Sequence, residues 1–197
     1  MNDIALILKS LEFAAFRHKG QLRKGEGSTP YINHPIQVAN LLANYAGETD
    51  PVLISAAILH DVVEDTVNSP LERDELVGEI SEIFGEEILL LTLEVTDDKT
   101  LDKLERKRLQ VENASHKSAR AKKLKIADKI MNLRDLTDNP PSDWSIERIT
   151  GYFDWAENVV VGLRGINQKL DNKFDEALLK ARAKYEAKVR WDKGLMG

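Results

Sequence analysis

Several features that would place this chain in a familiar functional class are missing from its sequence. It has no cysteine among its 197 residues, which excludes a disulfide framework and any metal site built on thiolates. No apolar run is long enough to span a bilayer, and the amino-terminal residues lack the basic and apolar regions of a signal peptide. These absences favour a cytoplasmic protein, for which no membrane partner is expected.

An excess of positive charge is also missing. The chain carries 28 lysines and arginines against 33 aspartates and glutamates, a formal net charge of −5. Because binding to a nucleic-acid polymer requires a basic face that neutralises phosphates, this balance argues against such a partner. Small anionic ligands stay open, since a local basic patch can bind them. Nothing in the sequence indicates the oligomeric state.

The residues that are present indicate one helical domain. Apolar residues make up 42% of the chain and charged residues 31%, and this length leaves room for a sizeable core. Apolar positions recur at helical spacing between breaks rich in glycine, proline and aspartate. This pattern predicts an all-α fold, although the apolar run at 88–91 alone could also be a strand. The helical segments are residues 3–18, 35–46, 51–66, 71–84, 86–95, part of a basic segment at 101–136, 145–166 and 172–191.

Residues 55–66 combine a buried helical run with side chains that can bind a metal or move a proton. The run Ala-Ala-Ile-Leu leads directly into His60, Asp61, Glu64 and Asp65. Read as one continuous helix, this stretch places His60 and Glu64 on one row of the helix surface, and Asp61 and Asp65 on another. The two residues of each pair are then about 6 Å apart along the helix axis. The two intervening valines would then point into the core.

Two interpretations of this acidic cluster stay open when its residues are taken alone. It could be a solvated helix end, where acidic side chains are common and need no function. Acids at the carboxyl end of a helix oppose the macrodipole, however, and an acidic cluster beside a buried run is costly unless a cation compensates it. A metal-binding or catalytic site is therefore the alternative.

Other candidate residues are weaker when each is taken singly. Arg23 and Lys24 lie on a glycine-rich loop that could be plain solvated surface, or could offer an arginine that stacks on a purine. His34 stands at a helix start before Pro35, where capping is the more ordinary role and metal ligation the alternative. Asp128 could pair with a neighbouring lysine on its own helix.

Taken together and in order, these residues resemble a known family. His34, then His60-Asp61, then Asp128 is the H…HD…D order of the HD-domain metal-dependent phosphohydrolases. Five motifs resemble, more narrowly, the hydrolase domain of the RelA/SpoT alarmone enzymes, and above all the stand-alone small alarmone hydrolases. They are His-Lys-Gly-Gln-Leu-Arg-Lys at 18–24, Tyr-Ile-Asn-His-Pro at 31–35, His-Asp-Val-Val-Glu-Asp-Thr at 60–66, Glu-Val-Thr-Asp-Asp-Lys at 94–99 and Lys-Ile-Ala-Asp-Lys-Ile-Met-Asn-Leu-Arg at 125–134.

The resemblance implies a role for each motif residue. The ligands of a divalent metal would be His34, His60, Asp61 and Asp128. Mn²⁺ suits this mixed imidazole and carboxylate set better than Mg²⁺ does. The pair that activates water would be Glu64 and Asp65. The side chains that hold the nucleotide would be Arg23, Lys24, Asn132 and Tyr152, with Lys99 and Arg148 as further contacts to phosphate or base.

The expected activity is Mn²⁺-dependent hydrolysis of the 3′-pyrophosphate of (p)ppGpp, which yields GDP or GTP and pyrophosphate. One rival is a related HD phosphatase acting on another nucleotide with a 3′- or 2′-phosphate, such as NADPH. Another is a non-catalytic nucleotide-binding module. The Glu64-Asp65 pair argues against the module, because binding alone needs no proton acceptor beside the metal.

The resemblance also predicts how the chain is divided. It covers about residues 1–168, which are expected to form the HD-type hydrolase domain. The chain is too short for the synthetase and regulatory domains of the long alarmone enzymes, so the resemblance implies hydrolysis only. Residues 169–197 carry no recognisable motif and are expected to form a C-terminal helix and a frayed tail, packed on the domain or extending from it.

Overall fold

The computed structural model describes residues 2–25 and 29–192, and the regular secondary structure within them is helical. The predicted all-α fold is therefore confirmed. No helix in this part of the chain is both long and apolar enough to cross a membrane. The helices are α1 (Asp3–Arg17), α2 (Asn33–Asn40), α3 (Pro51–Leu59), α4 (Val62–Asp65), α5 (Pro70–Phe84), α6 (Glu86–Val95), α7 (Lys103–Glu112), α8 (Ala119–Asp138), α9 (Ile146–Val161) and α10 (Gln168–Asp192), with a π-helix at Leu41–Ala46 and a 3₁₀ turn at Ala114–His116.

Capping side chains set the starts of several helices. Asn2 Oδ1 accepts a hydrogen bond from the Ala5 N–H at 2.8 Å at the start of α1. Asp50 caps α3 in the same way, immediately before Pro51, whose fixed φ and missing N–H suit a first helical turn. Gly47 ends the π-helix at φ 80°, a left-handed conformation that glycine adopts without strain.

The predicted continuous helix over the central stretch is wrong, because the helix breaks at His60 and Asp61. α3 ends at Leu59, and Asp61 has turn-like dihedral angles of φ −95° and ψ −7° before α4 begins. The His60 ring explains the break. Its Nδ1–H donates to the Ala57 carbonyl at 2.8 Å, which is the acceptor that the Asp61 N–H would use in a continuous helix. The two valines of α4 are buried, as predicted.

Other boundaries also differ from the sequence prediction. The basic segment 101–136 divides into α7 and α8, since Ser118 caps a new helix. α9 ends at Val161 rather than near residue 166. α10 begins at residue 168 rather than 172, because the Asn167 side chain accepts hydrogen bonds from the N–H groups of the first turn. The predicted frayed tail at 194–197 lies outside the described residues.

α8 is the central helix of the bundle, and it packs against α2, α3, α6, α9 and α10. Its inner face is fully buried, with Leu124 and Ile130 at the centre of the core. α10 lies along α8, with Phe174 and Tyr185 buried, and the Tyr185 hydroxyl donates to the Leu136 carbonyl of α8 at 2.7 Å. The packing of α2, α3 and α8 on one another determines where the predicted site residues meet.

Candidate metal centre and active site

The four predicted metal ligands converge at one point although they come from three parts of the fold. His34 stands in the first turn of α2, His60 and Asp61 in the turn between α3 and α4, and Asp128 midway along α8. The ligand atoms of His34, His60 and Asp128 lie within 4.8 Å of one another. Asp61 Oδ2 joins them, because it lies 3.1 Å from His60 Nε2 and 3.8 Å from His34 Nε2.

Hydrogen bonding prepares the His60 ring to bind a cation. Its Nδ1–H donates to the Ala57 carbonyl, which leaves the lone pair of a neutral ring on Nε2. Nε2 is buried without a hydrogen-bond partner of good geometry among the described residues, although Asp61 Oδ2 lies 3.1 Å away. His34 Nε2 is similarly placed 3.1 Å from Asp128 Oδ1. Ring nitrogens and carboxylate oxygens that converge inside a protein must share either a proton or a metal ion, and this mixed set of nitrogen and oxygen donors fits a divalent metal ion.

The two carboxylates also change the titration of His60. Burial lowers the pKa of this imidazole, but Asp61 and Asp128 outweigh burial and raise it to about 9. Burial acts in the opposite sense on the carboxyl groups. Even so, the charge of His60 holds the pKa of the Asp61 carboxyl group below its usual range, and the charge of Lys129 does the same for Asp128. The metal-free cluster therefore carries a proton on an imidazole at neutral pH.

Glu64 borders the same cluster from α4. Its Oε2 accepts a hydrogen bond from the Asp97 N–H at 3.1 Å, while Oε1 lies 3.9 Å from Lys99 Nζ and 3.8 Å from Arg106 Nη1. Burial first, and then the neighbouring carboxylates, raise the pKa of Glu64 to about 7. A carboxylate with this pKa can accept a proton from water near neutrality.

Asp65 has both of its carboxylate oxygens engaged. Lys99 Nζ donates to Oδ1, and the Tyr31 hydroxyl lies 2.9 Å from Oδ2. The same hydroxyl lies 2.7 Å from Asp61 Oδ2, so one phenol proton is shared between a metal-cluster carboxylate and Asp65. Tyr31 was not among the predicted site residues. The sequence signal for Tyr31 was its place in the Tyr-Ile-Asn-His-Pro motif, three residues before His34.

The metal cluster and Glu64 face a small cavity of about 160 Å³, called the inner cavity below. A larger cavity of about 500 Å³, the outer cavity, adjoins it and shares Glu64 and Asp97 with it. Pockets for drug-sized ligands generally measure about 300–1,000 Å³, so the inner cavity takes only one end of such a molecule. Besides Tyr31, its wall contains four polar residues that were not predicted, namely Asp97, Gln110, Lys125 and Lys129.

A family model described as "HD domain" matches residues 10–151. This chain belongs to the HD-domain family. The matched region of the HD domain contains α2, α3, α4 and α8, the helices that bring the metal cluster and the two acidic residues of α4 together.

Relatives of this HD domain share about half of its residues. The Xenopus tropicalis protein named "Guanosine-3′,5′-bis(diphosphate) 3′-pyrophosphohydrolase MESH1" is 50% identical over 178 residues, which cover 90% of this chain and 96% of the relative. The Homo sapiens protein of the same name is 51% identical over 170 residues, which cover 86% and 91%. A solved structure described as "A metazoan ortholog of SpoT hydrolyzes ppGpp and plays a role in starvation responses" matches with a TM-score of 0.83 at 47% identity, over 89% of this chain and 95% of that chain.

Two of the predicted nucleotide-binding residues are tied to the metal cluster of the HD domain. The Asn132 Nδ2–H donates to Asp128 Oδ1 at 2.6 Å, and Asn132 Oδ1 accepts from Arg23 Nη2 at 2.9 Å. Arg23 also forms an ion pair with Asp135 and lies over the Tyr31 ring, 5.3 Å from its centroid. Both residues line the inner cavity. Because Asn132 donates one N–H to Asp128 and accepts a hydrogen bond from Arg23, its first effect is to hold these two side chains in place.

Three more predicted substrate-binding residues lie outside the inner cavity. Lys99 lines the outer cavity. Lys24 and Arg148 are exposed and line neither cavity. Both lie near Lys103, where their charges add to the effect of burial in lowering the pKa of that lysine. The three cations Lys24, Lys103 and Arg148 therefore form a basic surface group on the HD domain.

Tyr152 lies beside the metal cluster without lining the inner cavity. Its ring centroid is 5.2 Å from that of Trp155, and Lys129 Nζ lies 4.7 Å from the Trp155 centroid. Lys129 in turn pairs with Asp128 Oδ2 at 3.0 Å. The aromatic pair thus backs the lysine that supports one ligand of the HD domain. Burial raises the pKa of Tyr152 to about 12, so its hydroxyl stays protonated and can donate a hydrogen bond.

Proposed function

We propose that this chain hydrolyses the 3′-pyrophosphate of (p)ppGpp to GDP or GTP and pyrophosphate. The observation that carries the proposal is that a buried metal-ligand cluster and a carboxylate with a pKa near neutrality face one cavity. The relatives that support it are named as guanosine-3′,5′-bis(diphosphate) 3′-pyrophosphohydrolases, at about half identity over most of both chains. The substrate is accordingly a small guanine nucleotide.

The proposed metal is Mn²⁺, held by His34, His60, Asp61 and Asp128. Two imidazoles with two carboxylates suit a borderline divalent ion, whereas Mg²⁺ prefers a shell of oxygen ligands. Such an ion, when bound, supplies Lewis acidity towards a phosphoryl oxygen and lowers the pKa of water. The lone pair that the Ala57 carbonyl keeps on His60 Nε2 supports this assignment.

Glu64 is the proposed proton acceptor. The Asp97 N–H holds its Oε2. Among the described residues, the cations nearest to its Oε1 are Arg106 at 3.8 Å and Lys99 at 3.9 Å, so this oxygen can receive a proton from water. Asp65 has a different proposed role, because Tyr31 and Lys99 already engage its two oxygens. It fixes the position of Tyr31 and, through that hydroxyl, of the metal-cluster carboxylate. This division of roles refines the expectation that both carboxylates activate water.

The nucleotide is proposed to place its reactive phosphoryl group in the inner cavity and to extend from there into the outer one. The size of the two cavities and their shared wall support this placement. Arg23 contributes at the inner cavity and Lys99 at the outer one. The full proposed set of nucleotide-binding residues is Arg23, Lys24, Lys99, Asn132, Arg148 and Tyr152.

We also propose that residues 1–168 form the hydrolase unit and that residues 169–197 are a C-terminal helix and frayed tail, packed on this unit or extending from it. The packing of α10 along α8 supports the packed placement for the described part of this segment. The absence of a nucleic-acid partner and the cytoplasmic location stay predictions from composition.

Analysis of reaction products tests the proposed function. Protein stripped of metal and reloaded with Mn²⁺ should release pyrophosphate and GDP from ppGpp, and the stripped protein should not. NADPH, the rival substrate, would release orthophosphate instead, so the identity of the product separates the two reactions. Glu64→Gln is the matched control, since it keeps the metal ligands and the size of the side chain. Binding of ppGpp by the Mn²⁺-loaded wild type without any product would refute the proposal and favour a non-catalytic module.

A further inference from the structure

The inner cavity contains a positive charge that has no role in the mechanism so far. Besides the two histidines of the metal cluster, three basic side chains line it, namely Arg23, Lys125 and Lys129. Arg23 and Lys129 each form an ion pair with an aspartate. Lys125 forms none within the described part of the chain, and its hydrogen bond there is to a neutral acceptor, the Val95 carbonyl, at 3.2 Å.

Burial makes this arrangement costly for Lys125. The residue is only 6% exposed, and its neighbours Leu124 and Ile126 on α8 are fully buried. An ammonium group has three N–H donors, and a single carbonyl satisfies one of them. Asp97 and Asp128 attract this ammonium group without forming an ion pair with it, and burial outweighs them and lowers the pKa of Lys125 to about 8. A buried charge that is compensated only in part is unfavourable. The fold therefore holds, at the cavity wall, a cation that an entering anion would stabilise.

Gln110 adds a second unsatisfied group to the same wall. Its Nε2 donates to Asp97 Oδ2, which fixes the orientation of the amide, because the reverse orientation would place two oxygens together. Its Oε1 is then buried without a hydrogen-bond partner among the described residues. Asp97 also holds Glu64 through its N–H. Within the described residues, a lysine without an ion pair and an amide oxygen without a hydrogen-bond donor thus lie on the cavity wall that carries the proposed base.

We propose that Lys125 binds the phosphoryl group that is hydrolysed, with its two unbonded N–H donors directed to phosphoryl oxygens. This inference rests on the proposed function and names the residue that neutralises the anionic end of that substrate. Hydrogen bonds between an ammonium and a phosphate oxygen belong to the strong, charge-assisted class. Lys129 is not proposed for this role, because its ammonium group already forms an ion pair with Asp128.

Inorganic pyrophosphate is the probe, because it carries the phosphate chemistry without the nucleoside. Calorimetry at fixed free Mn²⁺ measures its Kd for the loaded wild type, for Lys125→Met and for Lys122→Met. The last variant is the matched control, since it makes the same change three residues earlier on α8, outside both cavities. Lys125→Met should weaken pyrophosphate binding about 10- to 100-fold. Lys122→Met should bind like the wild type, and Mn²⁺ occupancy should be equal in all three proteins.

Two results would overturn the inference. One is a Kd for Lys125→Met equal to that of the wild type, and the other is a loaded wild type that does not bind pyrophosphate. Lys125→Gln, which keeps a donor but removes the charge, replaces the methionine variant if that protein does not fold, and the same criteria apply. The probe does not depend on turnover of (p)ppGpp. A wild type that binds pyrophosphate through Lys125 but leaves (p)ppGpp intact would refute the proposed function and leave this inference standing.

Discussion

Metal binding should displace a proton from His60 at neutral pH. In the metal-free protein burial lowers the pKa of this imidazole, but Asp61 and Asp128 raise it to about 9, whereas an unperturbed histidine titrates at about 6.5. A histidine must be neutral to bind a metal ion. With a pKa of about 9, roughly 97% of His60 is protonated at pH 7.5, so close to one proton should leave for each ion bound.

The effect of pH on metal affinity follows from the same pKa of His60. Displacing the proton at pH 7.5 costs about 2 kcal/mol, which makes the apparent Kd for the metal about 30-fold weaker than it is above pH 9. Between pH 8.5 and pH 7 the affinity should fall about tenfold for each pH unit. Asp61 and Asp128 contribute no proton, because their pKa values lie below the usual range.

Two measurements check this prediction. Calorimetric titration of Mn²⁺ in buffers of different ionisation enthalpy gives the number of protons released, and an NMR titration of the metal-free protein gives the pKa of His60. His60→Ala identifies its signal among the four histidines. Release of fewer than about 0.2 protons at pH 7.5, together with a His60 pKa near the unperturbed value of about 6.5, would refute the reasoning.

The stability of the metal-free protein should depend on pH through the protonation of His60. Because folding raises the pKa of His60 from about 6.5 to about 9, its contribution to the free energy of unfolding is complete below pH 6.5 and is lost as the pH rises to about 9. The Tm of the metal-free protein should therefore fall across this window on account of His60. The metal-loaded protein is the control, since its His60 is already neutral and should lack this dependence.

Single substitutions test three other features. Glu64→Gln should lower kcat about 10²–10⁴-fold with the Kd values of Mn²⁺ and nucleotide unchanged. Asp65→Asn should lower kcat by a smaller factor. Equal losses in single-turnover assays would contradict the choice of Glu64 as the base. Arg23→Ala should raise KM more than it lowers kcat, and a loss of kcat at constant KM would contradict a binding role. Phe174→Ala, at a fully buried position of α10, should lower the free energy of unfolding by about 3–5 kcal/mol in urea titrations. Leu179→Ala, at a position 72% exposed on the same helix, is its control and should be nearly neutral.

Local signals in the sequence were enough to predict the helical fold and many of its boundaries. Asn2 and Asp50 cap their helices by accepting hydrogen bonds from residues two or three positions away. Such caps, like the spacing of apolar residues, act within one or two turns. The same signals failed at His60, where a side chain takes the carbonyl of Ala57 that the backbone would otherwise use. They also missed the division of the basic segment at Ser118, a helix start without glycine or proline nearby.

The motif order named the residues of the site, but only the tertiary structure decided what surrounds them. His34 and Asp128 stand 94 positions apart, and the packing of α2 and α3 on α8 brings them together. No local sequence pattern predicts the shared hydroxyl of Tyr31 or the buried ammonium group of Lys125, because the surroundings of each come from distant parts of the chain. The pKa of His60 is set in the same way. Burial and the placement of charges are properties of the packed fold, and no stretch of sequence contains them.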